Sequence, residues 1–127
     1  MGIVLSLQGN ALAETLLERG TYLMRSIVAC GTCHTLKDAK GDLPGMDLAG
    51  GFRIKGPVFN LVLRNITPDK ETGIGAWTDK QIIRAIQEGI SANGKIIGPP
   101  MPIAFYRSMS DRDVKAIVAY LRQVKPI

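Results

Sequence analysis

Residues 30–34 read Cys30-Gly31-Thr32-Cys33-His34, and the reading of the whole chain follows from this CxxCH pentapeptide. It is the attachment signature of a c-type haem. Two thiols at this spacing add across the two vinyl groups of one porphyrin, each S–H giving a thioether and its hydrogen passing to the neighbouring vinyl carbon. The histidine that follows lies under the ring, where its imidazole binds iron from one face. Gly31 and Thr32 are small enough for the turn to hug the haem edge. A redox CxxC disulfide is expected between a strand and a helix of a βαβ unit. A structural zinc ion takes four ligands. The chain has two cysteines and one histidine, so zinc would have to recruit carboxylates as well.

Length and composition agree with one haem per domain. At 127 residues the chain is one domain. Hydrophobic residues make up 46% but aromatic residues only 6%. A covalent porphyrin supplies the large flat apolar body that the side chains lack. Attachment in bacteria takes place outside the cytoplasmic membrane, so the reading implies export to the periplasm. Residues 2–7 are apolar, and Ala11-Leu12-Ala13 has the A-x-A form of a signal cleavage site. Residues 1–13 are therefore read as a residual signal segment or a helix extension, and 14–127 as the domain. No stretch reaches the roughly 20 apolar residues of a membrane span.

Working outward, the chain reads as helix, haem turn, long loop, helix, ligand loop, helix. The first helix is expected from about residue 12 to residue 29. Leu12, Leu16, Gly20, Leu23 and Ile27 fall on one face. Glycine in a helix interior costs roughly 1 kcal/mol against alanine, and close approach by another helix is one reason to keep Gly20. Residues 36–66 are rich in glycine and proline and predict a folded loop, with a short strand at 52–55. Thr67-Pro68 predicts a helical turn. Thr78-Asp79-Lys80-Gln81 is a capping box that opens a helix ending near Gly89, and Asn93-Gly94 predicts a tight turn. Ser110-Asp111-Arg112-Asp113 caps the last helix, whose apolar face is Val114, Ile117, Val118, Leu121 and Val124. Pro126 stops it. The first and last helices are expected to cross at Gly20, near Tyr120.

The second axial ligand decides what the iron can do. His34 is the only histidine, which excludes bis-histidine ligation within the chain. Of the five methionines, Met1 is terminal, Met24 leads into the haem turn and Met46 lies in the glycine-rich loop. Met109 precedes the cap Ser110, where an apolar residue packs as a staple. Met101 stands in Gly98-Pro99-Pro100-Met101-Pro102. Flanking prolines stiffen that backbone and remove competing donors, so Met101 is the expected ligand and Met109 the alternative.

A CxxCH motif after an N-terminal helix, with a Met-Pro ligand loop before a C-terminal helix, resembles the class I cytochromes c. Within that class, Asn65-Ile66-Thr67-Pro68-Asp69 through Gly73-Ile74-Gly75-Ala76-Trp77-Thr78-Asp79, and Pro100-Met101-Pro102 followed by Met109-Ser110-Asp111, resemble the cytochrome subunits of membrane-bound alcohol and gluconate dehydrogenases. The resemblance implies an all-α fold of three to five helices wrapped around one covalent haem. It also implies a non-catalytic electron carrier serving a dehydrogenase or respiratory donor and a terminal acceptor. Those subunits commonly carry three haem modules and an anchor. One CxxCH and no apolar span predict a single haem here.

Iron held by His34 and Met101 has no open position, which leaves cycling between Fe(III) and Fe(II). The alternative is a haem sensor or peroxidase-like protein in which the thioether is absent or displaced. The haem propionates need donors. Trp77 offers an indole N–H, and Arg53, Lys55 and Asn65 are further candidates. Pro99, in the ligand segment, is a further cofactor-binding candidate. The net charge of +5 is spread over scattered lysines and arginines, with no nucleic-acid motif. It suits docking on an acidic redox partner.

Overall fold

The computed structural model describes residues 13–127. The apolar run at 2–7, Leu12 and the first two residues of Ala11–Ala13 lie outside the described residues. The first helix, α1, spans Leu16–Tyr22. Its start is set by a Thr15–Glu18 capping box. Thr15 accepts the Glu18 N–H through its hydroxyl, and the Glu18 carboxylate accepts the Thr15 N–H at 2.9 Å.

The helix does not run evenly to residue 29. Leu23–Ile27 form a π-helical turn in which the Val28 N–H reaches back to the Leu23 carbonyl at 2.8 Å. The wider turn rotates the apolar stripe. Leu23 and Met24 are buried, whereas Ile27, expected on the inner face, is 68% exposed. Ala29 then takes a left-handed conformation with φ of 46° and redirects the chain into α2, Gly31–His34, which carries the CxxCH motif.

Two small antiparallel hairpins follow, so the fold is not purely helical. β1 (Lys37–Asp38) pairs with β2 (Gly41–Asp42), and β3 (Arg53–Lys55) pairs with β4 (Asn60–Val62). No helical turn forms at Thr67-Pro68. Instead the Asp69 carboxylate accepts the N–H groups of Glu71 and Thr72 and the Thr72 hydroxyl, which folds the segment into a side-chain-capped loop. The hydroxyl of buried Thr67 donates to Asn65 Oδ1 at 2.7 Å.

α3 spans Asp79–Glu88, opened by the Thr78–Gln81 capping box and closed by Gly89 at φ 69°. A one-turn helix, α4, covers Ile103–Tyr106, and α5 covers Asp111–Gln123 with Ser110 as its cap. The Asp113 side chain does not complete a capping box. It turns to α1, where Arg19 Nε and Nη2 donate to its two oxygens at 2.8 and 3.2 Å.

α1 and α5 cross as the glycine implied. A Cβ at Gly20 would lie 2.1 Å from the Ala116 carbonyl oxygen and 3.1 Å from Tyr120 Cβ. The nearest partner is thus the Ala116 backbone, with Tyr120 beside it. The core gathers around this crossing from Leu23, Met24, Leu48, Ile74, Ile82, Ile86, Val114, Ile117 and Leu121.

The Arg19 pair makes the crossing sensitive to acid. The hydrogen bond from Arg19 holds the Asp113 carboxyl below its ordinary pKa, against a smaller opposing effect of burial. A depressed folded-state pKa contributes stability above the unfolded value, near pH 4. That contribution is lost as the pH falls through the folded value. In urea unfolding, Asp113→Asn is therefore less stable than the parent at pH 7, and the gap closes toward pH 3. A gap independent of pH would show that the pair contributes nothing through its charge.

Candidate functional site

The CxxCH turn is locally determined. Within α2 the N–H groups of Cys33 and His34 both reach the Cys30 carbonyl, at 3.2 and 2.9 Å. This places the two cysteines and the histidine on one short helical turn. Both cysteines are free thiols and half-buried. Burial pushes the Cys30 thiol up to about 11, so the unmodified chain presents it as neutral S–H.

His34 is half-buried, and burial lowers its pKa despite a backbone hydrogen bond that opposes the shift. The imidazole is therefore neutral, the form that binds metal. Its Nδ1 lies 2.7 Å from the Arg64 carbonyl oxygen. A carbonyl only accepts, so Nδ1 carries the proton and Nε2 keeps its lone pair for a metal. The long loop brings Arg64 there. The Gly50 N–H donates to the His34 carbonyl at 2.7 Å, and the Gly51 N–H to the Leu63 carbonyl at 2.9 Å. Buried Thr35 accepts the Leu48 N–H through its hydroxyl at 3.0 Å.

These residues border an open cleft of about 570 Å³, within the range of cofactor sites. Cys30 and His34 line it on one element, and Pro99, Pro100 and Met101 line it on the segment before α4. Val28, Leu63, Ile66, Ile74, Trp77, Ile82, Ile86, Ile97, Ile117 and Leu121 supply apolar walls. The donor set that meets here is a thiol, a neutral imidazole and a thioether. That set and the apolar walls fit a haem whose iron is bound by nitrogen and sulfur. Among the described residues no three or more His, Cys, Asp or Glu gather to hold a metal ion, which leaves the zinc reading without ligands.

The five methionines separate by position. Met101 lines the cleft. Met109 packs against the core and is not on the cleft wall, and its carbonyl accepts the Gln87 amide at 3.1 Å. Met24 is buried beside a smaller cavity of about 190 Å³, with Arg25 and Tyr120. Met46 is half-buried away from both. Met1 lies outside the described residues.

The expected propionate partners divide as well. Trp77 and Asn65 line the cleft. The two hydrogens of the Asn65 amide are already given to Thr72 Oγ1 and the main-chain oxygen of Ile127, at 2.9 and 2.7 Å. Its role here is to fasten the loop and the chain end. Arg53 and Lys55 do not line the cleft. Strand alternation puts both on an exposed face of β3, where Arg53 donates to Asn60 Oδ1. Among the described residues, the cations that line the cleft are Arg64 and Lys95, with Glu71 as the one carboxylate.

Several braces escaped the sequence reading. Gln87 on α3 donates to the carbonyls of Tyr106 and Met109 and so ties down the segment that follows Met101. The Tyr106 hydroxyl donates to the Val28 carbonyl at 3.4 Å, and burial pushes its pKa up to about 12. Arg122 on α5 donates to the Trp77 carbonyl at 2.6 Å and to Asp79 Oδ1 at 2.8 Å. A polar residue three or four places off an apolar stripe was the available signal for Gln87. Nothing local marked Arg64.

The family described as cytochrome c matches residues 17–125. Cytochrome subunits of bacterial dehydrogenases are among its relatives. The fructose dehydrogenase cytochrome subunit of Gluconobacter japonicus is 41% identical over 113 residues, 87% of this chain and 22% of the relative. The cytochrome c subunit of the quinone alcohol dehydrogenase of Gluconobacter oxydans is 37% identical over 115 residues, 90% of this chain and 23% of the relative. That of gluconate 2-dehydrogenase from Pantoea cypripedii is 36% identical over 115 residues, 90% of this chain and 24% of the relative. The chain thus spans about a quarter of the length of these relatives. The match to the family covers the crossing helices, the CxxCH turn and the segment that carries Met101, and by it the chain belongs to the cytochrome c family: a class I cytochrome domain that implies covalently bound haem c and serves electron transfer rather than catalysis.

Proposed function

We propose that this domain carries single electrons, through one haem held by Cys30, Cys33, His34 and Met101, from a periplasmic dehydrogenase or respiratory donor to a terminal acceptor. The observation that carries the reading is that the imidazole of His34, already oriented by the Arg64 carbonyl, and the thioether of Met101 border one apolar cleft. When bound, haem supplies reversible one-electron exchange between ferric and ferrous iron. The chain does the rest. Cys30 and Cys33 would tether the ring through thioethers. The His34 Nε2 lone pair and the Met101 sulfur would hold the iron and keep small ligands from it. A thioether and apolar walls favour the ferrous state and raise the potential. Trp77, through its indole N–H, and the cations Arg64 and Lys95 line the cleft and would be available to hold the propionates.

A dehydrogenase as donor is supported by the relatives, which are named as cytochrome subunits of alcohol, fructose and gluconate dehydrogenases. Among the described residues no helix is long and apolar enough to cross a membrane. The net charge of +5 favours an acidic partner face, with association that weakens as salt rises.

Two measurements test the reading on the haem-loaded protein. The haem stays with the polypeptide on a denaturing gel, because both links are thioethers. The ferric protein shows the weak far-red absorption band of an iron–methionine bond. Haem that extracts freely into acid-acetone removes the covalent assignment, and a five-coordinate spectrum removes the closed-iron mechanism.

A further inference from the structure

We infer that Gly50 is a positioning residue for His34, because only a residue without a side chain lets the Arg64 carbonyl sit against the imidazole. The inference rests on the proposal that His34 binds the iron. Gly50 touches both ends of that histidine. Its own N–H donates to the His34 carbonyl at 2.7 Å. A Cβ built on it would meet the Arg64 carbonyl carbon at 2.4 Å and the Arg64 oxygen at 2.6 Å. That oxygen is the one 2.7 Å from His34 Nδ1. The Leu63 carbonyl oxygen, at 2.5 Å, is also in the way, and all three atoms are backbone, so the Leu63–Arg64 segment after β4 must shift if Gly50 gains a side chain. A shift of a few tenths of an ångström weakens the Nδ1–H hydrogen bond, and with it the donor strength of the imidazole. A weaker donor stabilises ferric iron less, so the reduction potential rises.

Gly50 also has φ of 71°, so backbone strain alone is a competing explanation for any effect of substitution. The neighbouring residue separates the two. Gly51 has φ of 90°, yet a Cβ there meets nothing within 4 Å. Gly51→Ala therefore carries the strain without the clash. Gly50→Asn carries the clash with less strain, because asparagine tolerates the left-handed region.

The experiment compares the haem-loaded parent with Gly50→Ala, Gly50→Asn and Gly51→Ala by redox titration and by NMR of the His34 Nδ1 proton. Gly50→Ala and Gly50→Asn are expected to raise the potential and speed exchange of that proton. Gly51→Ala is expected to lose stability with no change in either. An unchanged potential in Gly50→Asn, or an equal rise in Gly51→Ala, overturns the inference. Should Gly50→Ala not fold, Gly50→Asn and the parent still decide it, since fast exchange of the Nδ1 proton in the parent is equally fatal. Failure of the underlying reading looks different: the parent itself then lacks a low-spin spectrum.

Discussion

On the proposed ligation by His34 and Met101, Met101→Ala is expected to convert the ferric protein from low-spin to high-spin, or to a low-spin form that has recruited a lysine, and to open the ferrous iron to carbon monoxide. The haem stays bound, because Cys30, Cys33 and His34 are untouched. The potential falls with the loss of the thioether, the ligand that favours the reduced state. The paired control is Met109→Ala. Met109 packs against the core outside the cleft. Its truncation costs about 2 kcal/mol of packing and leaves the spectrum unchanged. Optical spectra and carbon monoxide titration of both variants decide the matter. If the two exchange behaviours, the iron is held eight residues further along and the proline segment is only a lid. If neither alters the spectrum, Met46 or a second chain supplies the ligand, and electron transfer by a single closed domain needs revision.

Gly20→Val unfolds the protein far more readily, by about 3 kcal/mol or more on the overpacking scale. Total stabilities are only about 5–15 kcal/mol. The obstructing atom is the Ala116 carbonyl oxygen, 2.1 Å from the position of a Cβ, and it is backbone that cannot swing aside. Gly20→Ala sharpens the test. Helix propensity alone would stabilise it by about 1 kcal/mol. The crossing instead makes it destabilising. Denaturant midpoints for both variants measure the effect, and an unchanged midpoint in Gly20→Ala would mean that α1 and α5 are not in contact at this point.

The CxxCH turn, the capped starts of α3 and α5, and the Gly20 crossing were all legible in the sequence. Each is written in residue types with narrow chemical uses at fixed spacing. The prolines around Met101 marked it as the ligand candidate, and the structure places it on the cleft wall. Tertiary geometry hid the remainder. The π turn at 23–27 arises from one reach of a backbone N–H and has no residue signature, so Ile27 was placed inside when it faces solvent. Arg53 and Arg64 look alike in the sequence. Only the pairing of β3 with β4 puts the first outside and brings the second to His34. Asn65 was read for its amide, but that amide is spent on Thr72 and Ile127. The Thr67-Pro68 turn was read from proline alone, whereas Asp69 decides that loop.

The α1–α5 crossing also divides the molecule by lifetime. Arg19 and Asp113 are 94 residues apart in the chain, so the core forms only when most of this domain has closed on itself. Amide hydrogens of these two helices should exchange with solvent only through global unfolding. The two-stranded hairpins at 37–42 and 53–62 hold few buried groups and should open on their own at far lower free energy. The second of them leads directly into Arg64. On warming, the histidine support would therefore breathe while the crossing is still closed, and redox behaviour would drift before any unfolding transition begins.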